Sequence, residues 1–211
     1  MITGKETTVV LACYFLGCFT SGYYWVRLRT GLDIRAQGSG NVGARNVGRA
    51  LGAPGFMVTF ILDLLKGVLA VRMALFFGLN EDAVIAAMVA VVVGHTWPAQ
   101  LRFRGGKGIS TSLGALLAYD TFIVFILLVM FLPVWALLRS FTFSGLVAFA
   151  LSPLLLFLCG LGNPAVAAIS FLAIIILVAH RKNIREEMAG RLAGGPAVKE
   201  ASLHSDKETR P

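Results

Sequence analysis

The chain has 211 residues, of which 57% are hydrophobic and only 14% charged, and a formal net charge of +8. Its mean hydropathy of +0.78 excludes a soluble globular domain, which at this length needs far more polar surface. The positive balance is not a nucleic-acid signal here, because arginines of a membrane protein sort to one face and their positions carry the meaning.

Apolar spans run near residues 8–26, 55–78, 83–101, 121–138, 143–161 and 164–180. Each is long enough to cross a hydrocarbon core about 30 Å thick. The first lacks a small-x-small cleavage site and reads as a retained span rather than a signal peptide. Cys13, Cys18 and Cys159 all lie in apolar stretches, with spacings that fit neither a disulfide framework nor a metal site. They read as small buried hydrophobes.

Basic loops fix the expected topology. The loop at residues 27–49 and the loop at 102–107 belong on the cytoplasmic side, but with six spans the run His180-Arg181-Lys182 would emerge outside. A seventh crossing at residues 109–119 removes the conflict, although that segment is only about 16 Å long as a helix. The expected fold is thus an all-α integral membrane protein of about seven transmembrane helices, the fourth short, with the N-terminus outside and the C-terminus cytoplasmic. Residues 1–193 form one membrane domain. The polar stretch 194–211, with its Gly-Gly-Pro break, is expected to be a disordered cytoplasmic tail.

Three polar motifs interrupt the apolar pattern. The first is Gly38-Ser39-Gly40-Asn41-Val42-Gly43-Ala44-Arg45-Asn46-Val47-Gly48-Arg49. Its glycines alternate with hydroxyl, amide and guanidinium donors that can converge on a phosphate or an oxyanion. A plain linker would need neither the two asparagines nor the two arginines. The second is Gly94-His95-Thr96-Trp97-Pro98, followed by Arg102-Phe103-Arg104-Gly105-Gly106-Lys107-Gly108 and Ile109-Ser110-Thr111. A basic glycine turn feeding a helix N-terminus is a ready anion site. It is not a Walker A loop, because Leu101 and Gly108 occupy positions where that pattern needs Gly and Ser or Thr.

The third motif is His180-Arg181-Lys182-Asn183-Ile184, in which His180 and Asn183 share one helix face. Histidine can give or take a proton near neutral pH. A lone His at a helix end is more often a cap, and His180 gains weight only by sharing a side with the other two motifs. Within the second span, Asp63 and Lys66 stand three residues apart. They read either as an internal ion pair that fixes helix packing or as a substrate contact through Lys66. Arg72 lies nearer the outer face, where it can snorkel.

Taken together and in this order, the motifs closely resemble those of the bacterial acyl-phosphate-dependent glycerol-3-phosphate acyltransferases, the PlsY family. The matching residues are 38–46 with Arg49, Asp63-Leu64-Leu65-Lys66-Gly67, Gly94-His95, residues 98–111, His180-Arg181 and Asn183-Ile184. The resemblance implies a seven-helix enzyme of the bacterial inner membrane with its site facing the cytoplasm. It implies transfer of an acyl chain from acyl phosphate to the 1-hydroxyl of glycerol 3-phosphate, giving lysophosphatidate and inorganic phosphate for phospholipid synthesis. The implied partners are glycerol 3-phosphate, a long-chain acyl phosphate, membrane lipid and other enzymes of phospholipid synthesis. No cofactor, metal or nucleic acid is implied.

On this reading Ser39, His180 and Asn183 are the candidate catalytic residues. Gly38, Gly40, Asn41, Gly43, Asn46, Arg49, Lys66, His95, Arg104, Gly105, Gly106, Lys107, Gly108 and Thr111 are candidates for substrate binding. The chain departs from the family pattern at Arg45, where Thr is usual, at Ser110, where Ala is usual, and at Glu186, where Arg is common. The competing reading is a transporter for an anionic solute, which would place polar residues at the midplane of several helices rather than in loops. An acyltransferase built on His-x4-Asp is excluded, because Gln100 stands at that offset from His95.

Overall fold

The computed structural model describes residues 3–192, which are helical throughout with no strand among them. Chain contacts divide these residues after Ala179. The first part holds α1 (Gly4–Cys18), α2 (Ser21–Thr30), α3 (Ala44–Phe76), α4 (Glu81–Thr96), α5 (Ile109–Tyr119), α6 (Thr121–Leu138), α7 (Phe141–Leu158) and α8 (Asn163–Ala179). Short 3-10 turns, Ile34–Ala36 and Ala99–Leu101, lie in the loops after α2 and α4. The second part contains α9 (Arg181–Leu192), a polar helix with an exposed Lys182–Glu186 ion pair at 3.8 Å. The expected tail at 194–211 lies outside the described residues.

Four helical stretches, Gly4–Thr30, Glu81–Leu101, Thr121–Leu138 and Phe141–Leu158, are long and apolar enough to cross a membrane. Ile109–Tyr119 and Asn163–Ala179 are shorter apolar helices. The outer surface carries many large hydrophobes, among them Phe122, Phe125, Leu132, Leu154 and Phe171. This is the exposure that a lipid-facing surface demands.

Three apolar spans differ in detail from the sequence pattern. The first, expected as one helix, is two: Phe19 and Thr20 take extended backbone angles between α1 and α2. The second is the C-terminal part of a longer helix, because α3 begins inside the first polar motif and is interrupted at Gly52 (φ 71°, ψ −168°), just before Pro54. The third ends at Thr96 rather than near 101, since Pro98 disfavours helical geometry in the residue before it.

Close helix crossings build the core. α3 packs on α5 and α1 on α4, while α6, α7 and α8 form a chain of neighbours that returns to α4 and α5. Gly67 and Gly114 let α3 and α5 touch backbone to backbone: a Cβ on either would strike the carbonyl of Thr111 or Leu64. Gly17 and Gly94 do the same for α1 and α4. Small residues at crossings are how membrane helices gain packing contacts without a hydrophobic driving force.

The N-termini of six helices fall into two groups. Thr3 and Glu6 form a reciprocal capping box on α1, the Asn80 amide oxygen accepts from Ala83 N at 2.9 Å, and the Asp120 carboxylate accepts from Phe122 N at 2.9 Å. These capped ends meet, since Asn80 Nδ2 donates to Glu6 at 2.6 Å and Tyr119 OH donates to Glu81 at 2.8 Å. By contrast α3, α5 and α7 start at Gly43, Gly108 and Ser140 with no side-chain cap.

Replacing Gly114 by Leu is expected to cost about 1–3 kcal/mol or more through overpacking. Thermal unfolding in detergent, followed by tryptophan fluorescence, checks this. Gly145→Ala, where a Cβ meets nothing within 4 Å, is the control and should leave the midpoint in place.

Candidate active site

Asn46 organises the first polar loop. Its Nδ2 donates to the carbonyls of Gln37 and Asn41, both at 2.9 Å, and lies 3.3 Å from Ile34 O. Its Oδ1 accepts from Ser39 N at 3.0 Å. Both amide protons are thereby committed to the backbone of residues 34–41, and Asn46, a residue expected to bind substrate, is the post around which the loop is wound. The Gly40 amide is also committed, donating to Gln37 O at 2.9 Å across a turn.

Arg35 ties this loop to the next. Its guanidinium grips both Asp33 oxygens, donates through Nη1 to Leu101 O at 2.9 Å and covers the Tyr23 ring at 5.0 Å. The hydrogen bonds from Arg35 hold the Asp33 carboxyl below its ordinary range. A depressed carboxylate stabilises the fold above its unfolded pKa and loses that contribution as pH falls through the folded value. The clamp is thus intact at neutral pH and weakens only in acid.

The second loop folds back on the end of α4. Gly105 N donates to Thr96 O at 3.1 Å and Gly106 N to His95 O at 2.9 Å. Arg102 and Phe103 take left-handed angles (φ 55° and 59°), sparsely populated for residues with a Cβ. A Cβ on residue 106 would occupy the His95 imidazole, so the glycine is a steric requirement of the ring beneath it.

Under both loops lies a buried polar cluster. Asp63 is 2% exposed, and Lys66 and His95 are each 3% exposed. Lys66 Nζ lies 2.9 Å from Asp63 Oδ1, 2.8 Å from His95 Nδ1, 2.8 Å from Phe19 O and 3.2 Å from Gly17 O. Asp63 Oδ1 also accepts from Ser21 Oγ at 2.9 Å. An ammonium has three protons and accepts none. Four acceptors share its three protons, and one of them makes the internal ion pair with Asp63. Because Lys66 can only donate, His95 Nδ1 accepts and the ring carries its proton on Nε2.

A cleft of about 310 Å³ opens beside this cluster. Its polar lining is Asn41, Arg45, Asp63, His95, Lys107 and Ser110; Phe56, Phe60, Phe131 and Phe149 contribute to its apolar wall. The first residues of α3, α5 and α7 all contribute to it, through Ala44, Ile109 and Phe141. None of the three has a side-chain cap, so three sets of orphan N–H groups and three positive dipole ends border one cavity. With Lys107 and Arg45 they make it an anion receptor joined to an apolar slot.

Of the expected site residues, Asn41, Gly43, His95, Lys107 and Gly108 line the cleft. Gly38 and Ser39 are exposed on the first loop, Arg49 in the second turn of α3, and Arg104 on the second loop. Gly105 and Gly106 shape that loop through the α4 carbonyls. Thr111 is fully buried against α3. His180 and Asn183 lie in the second part of the chain, where His180 O accepts from Ile184 N at 2.9 Å at the start of α9. Sequence reasoning missed Asp63, Thr142 and the aromatic wall as cleft residues. The four-residue spacing of Phe56 and Phe60 was the available signal for part of that wall.

Lys66→Met, which strands Asp63 in the interior, is expected to lower stability by about 3–5 kcal/mol, with partial recovery in the Asp63→Asn/Lys66→Met double variant. Thermal midpoints of the three proteins decide this, and equal midpoints would mean that the pair is not load-sharing. Asn46→Ala is expected to speed amide exchange at residues 38–41 while leaving 105–106 protected, which hydrogen-exchange mass spectrometry reads directly.

Residues 7–190 match the glycerol-3-phosphate acyltransferase family model. Glycerol-3-phosphate acyltransferase 1 of Desulfitobacterium hafniense is 44% identical over 178 residues, covering 84% of this chain and 88% of its own length. The Clostridioides difficile glycerol-3-phosphate acyltransferase is 37% identical over 187 residues, covering 86% of this chain and 91% of its own. Among solved structures, the glycerol 3-phosphate form of PlsY, an integral membrane glycerol 3-phosphate acyltransferase, superposes with a TM-score of 0.80 at 32% identity, covering 89% of this chain and 94% of that one. Its lysophosphatidic acid form gives a TM-score of 0.78 at 30% identity, with the same shares covered. With the family model matched over residues 7–190 and relatives of 37% and 44% identity covering most of both chains, this chain belongs to the glycerol-3-phosphate acyltransferase family.

Proposed function

We propose that the protein transfers an acyl chain from a long-chain acyl phosphate to the 1-hydroxyl of glycerol 3-phosphate, forming lysophosphatidate and inorganic phosphate for phospholipid synthesis. The observation that carries this reading is the two-part cleft. Its cationic end, with three uncapped helix N-termini, suits phosphate, and its apolar wall suits a fatty chain. The two similar solved structures, a glycerol 3-phosphate form and a lysophosphatidic acid form, support the same acceptor and product.

An acyl phosphate is a mixed anhydride and already activated. The site needs to position the reactants, neutralise charge and move one proton. The acceptor oxygen attacks the acyl carbon, a new C–O ester bond forms, and the bond from that carbon to the bridging phosphate oxygen breaks. The hydroxyl proton passes to His180 or to the departing phosphate, and no acyl-enzyme is required. Ser39 orients the reacting group at the cleft edge. Arg49 and Lys107 bind phosphate, and His180 with Asn183 orients the acceptor hydroxyl. His95, its Nε2 protonated, acts as a neutral donor.

We take residues 1–193 as the catalytic membrane domain. Our reading is seven crossings with the N-terminus outside and the cleft at the cytoplasmic face of the inner membrane; the basic loops support it, and the uncapped starts of α3, α5 and α7 on the cleft are consistent with it.

Phosphate release from palmitoyl phosphate, dependent on glycerol 3-phosphate and with lysophosphatidate formed, is the expected result for purified protein in detergent or lipid cubic phase. Palmitoyl-CoA is the control donor, and activity with it alone would overturn the donor. No turnover from a folded preparation would favour anion transport. Ser39→Ala is expected to lower kcat about 100-fold or more, the scale of losing a positioned donor. His180→Ala is expected to abolish the acid limb of the pH–rate profile; an unchanged profile at normal rate would remove His180 as base.

A further inference from the structure

Arg45 stands where it does the helix no good. It is the second residue of α3, and a cation in the first turn opposes the helix dipole. Its side chain is exposed and reaches across the cleft to donate to Thr142 Oγ1, the second residue of α7. α7 packs mainly on α6 and α8, and α3 on α5, α4 and α2, so this bond spans a gap that little else bridges. A guanidinium carries five donors, and one goes to Thr142.

Thr142 also heads a stripe. Phe141, Thr142, Gly145, Ala148 and Phe149 line the cleft at helical spacing along α7, polar at Thr142 and apolar beyond it. A ligand with its chain along that stripe must place its headgroup at the Arg45–Thr142 pair. Glycerol 3-phosphate has no chain to lie there. The second cation of the cleft, Lys107, sits on the other wall at the N-terminus of α5. Two phosphate-bearing reactants can thus be served by two separate cations.

We propose that Arg45 binds the phosphate of the acyl donor, and that Thr142 holds its guanidinium in place until the donor arrives. The assignment rests on the donor named under Proposed function. A phosphate gives Arg45 a charge-assisted, bidentate partner, stronger than a neutral hydroxyl, so the exchange runs toward the ligand. Arg45 is thereby a donor-selecting residue that this chain has in place of the family's usual Thr.

The test compares Arg45→Thr, Arg45→Lys, Thr142→Val and the Arg45→Thr/Thr142→Val double variant. Steady-state kinetics with palmitoyl phosphate and glycerol 3-phosphate give one readout. Binding of hexadecyl phosphate, which cannot transfer an acyl group, gives a second that needs no turnover. Arg45→Thr is expected to raise the donor KM and the hexadecyl phosphate Kd about tenfold or more, the scale of one charge-assisted contact, with the glycerol 3-phosphate KM within about twofold. Arg45→Lys should fall between. Thr142→Val removes a competing partner and should leave donor KM equal or lower, and the double variant should match Arg45→Thr. A rise in the acceptor KM instead, a parallel loss in Arg45→Thr and Thr142→Val, or no shift at all would overturn the proposal. Wild-type protein that binds hexadecyl phosphate through Arg45 but does not turn over palmitoyl phosphate would overturn the donor assignment and leave the phosphate contact standing.

Discussion

The Lys66 ammonium is the contact on which the site depends. It sits on α3, yet its acceptors come from the break between α1 and α2, from α3 itself and from the end of α4. A broken helix in an apolar interior exposes carbonyls that cannot be left bare. Lys66 takes two of them, and Gln100 takes a third by donating to Cys18 O. The same ammonium fixes the His95 ring, and that ring and its carbonyl seat Gly105 and Gly106. One buried cation thus sets the angle of the first helix pair and the path of the loop at 102–108.

Around this fixed point the bundle is electrically polarised by its caps. At one end Thr3, Asn80 and Asp120 satisfy the first N–H groups of their helices with their own side chains. At the other, Gly43, Gly108 and Ser140 leave that work undone. The first N–H groups of a helix have no partner within it, and here no capping side chain supplies one. Gly108 makes the arrangement at α5: its φ of 85° turns the chain sharply into the helix, a geometry that most residues avoid.

How much of this could be read in the sequence depended on whether the cause was local. α6, α7 and α8 were legible because Asp120, Ser140 and Gly160 punctuate long apolar runs. The basic loops called for a further segment at 109–119, and Ile109–Tyr119 is a helix. The break at Phe19 and Thr20 was not legible, because those residues are no more polar than their neighbours and the groups that stabilise the break lie 47 and 82 residues away. Asn46 was found as a site residue but not as a positioning one: an asparagine that holds a loop and one that holds a phosphate have the same spelling. Arg45 stood out as a departure from the family, but its partner is 97 residues distant and no pattern in the chain connects them.

The wall of the cleft has a consequence for how such a protein meets its lipid reactants. Leu128 and Phe141 line the cavity and yet remain 53% and 61% exposed at the flank of the bundle. The apolar wall of the slot is therefore continuous with the apolar outer surface of the bundle. An amphiphile can enter by lateral diffusion and leave the same way without its tail crossing the aqueous phase, which would cost about 0.8 kcal/mol for every methylene. For such a reactant the governing concentration is its mole fraction in the surrounding lipid, and occupancy follows surface dilution rather than bulk molarity.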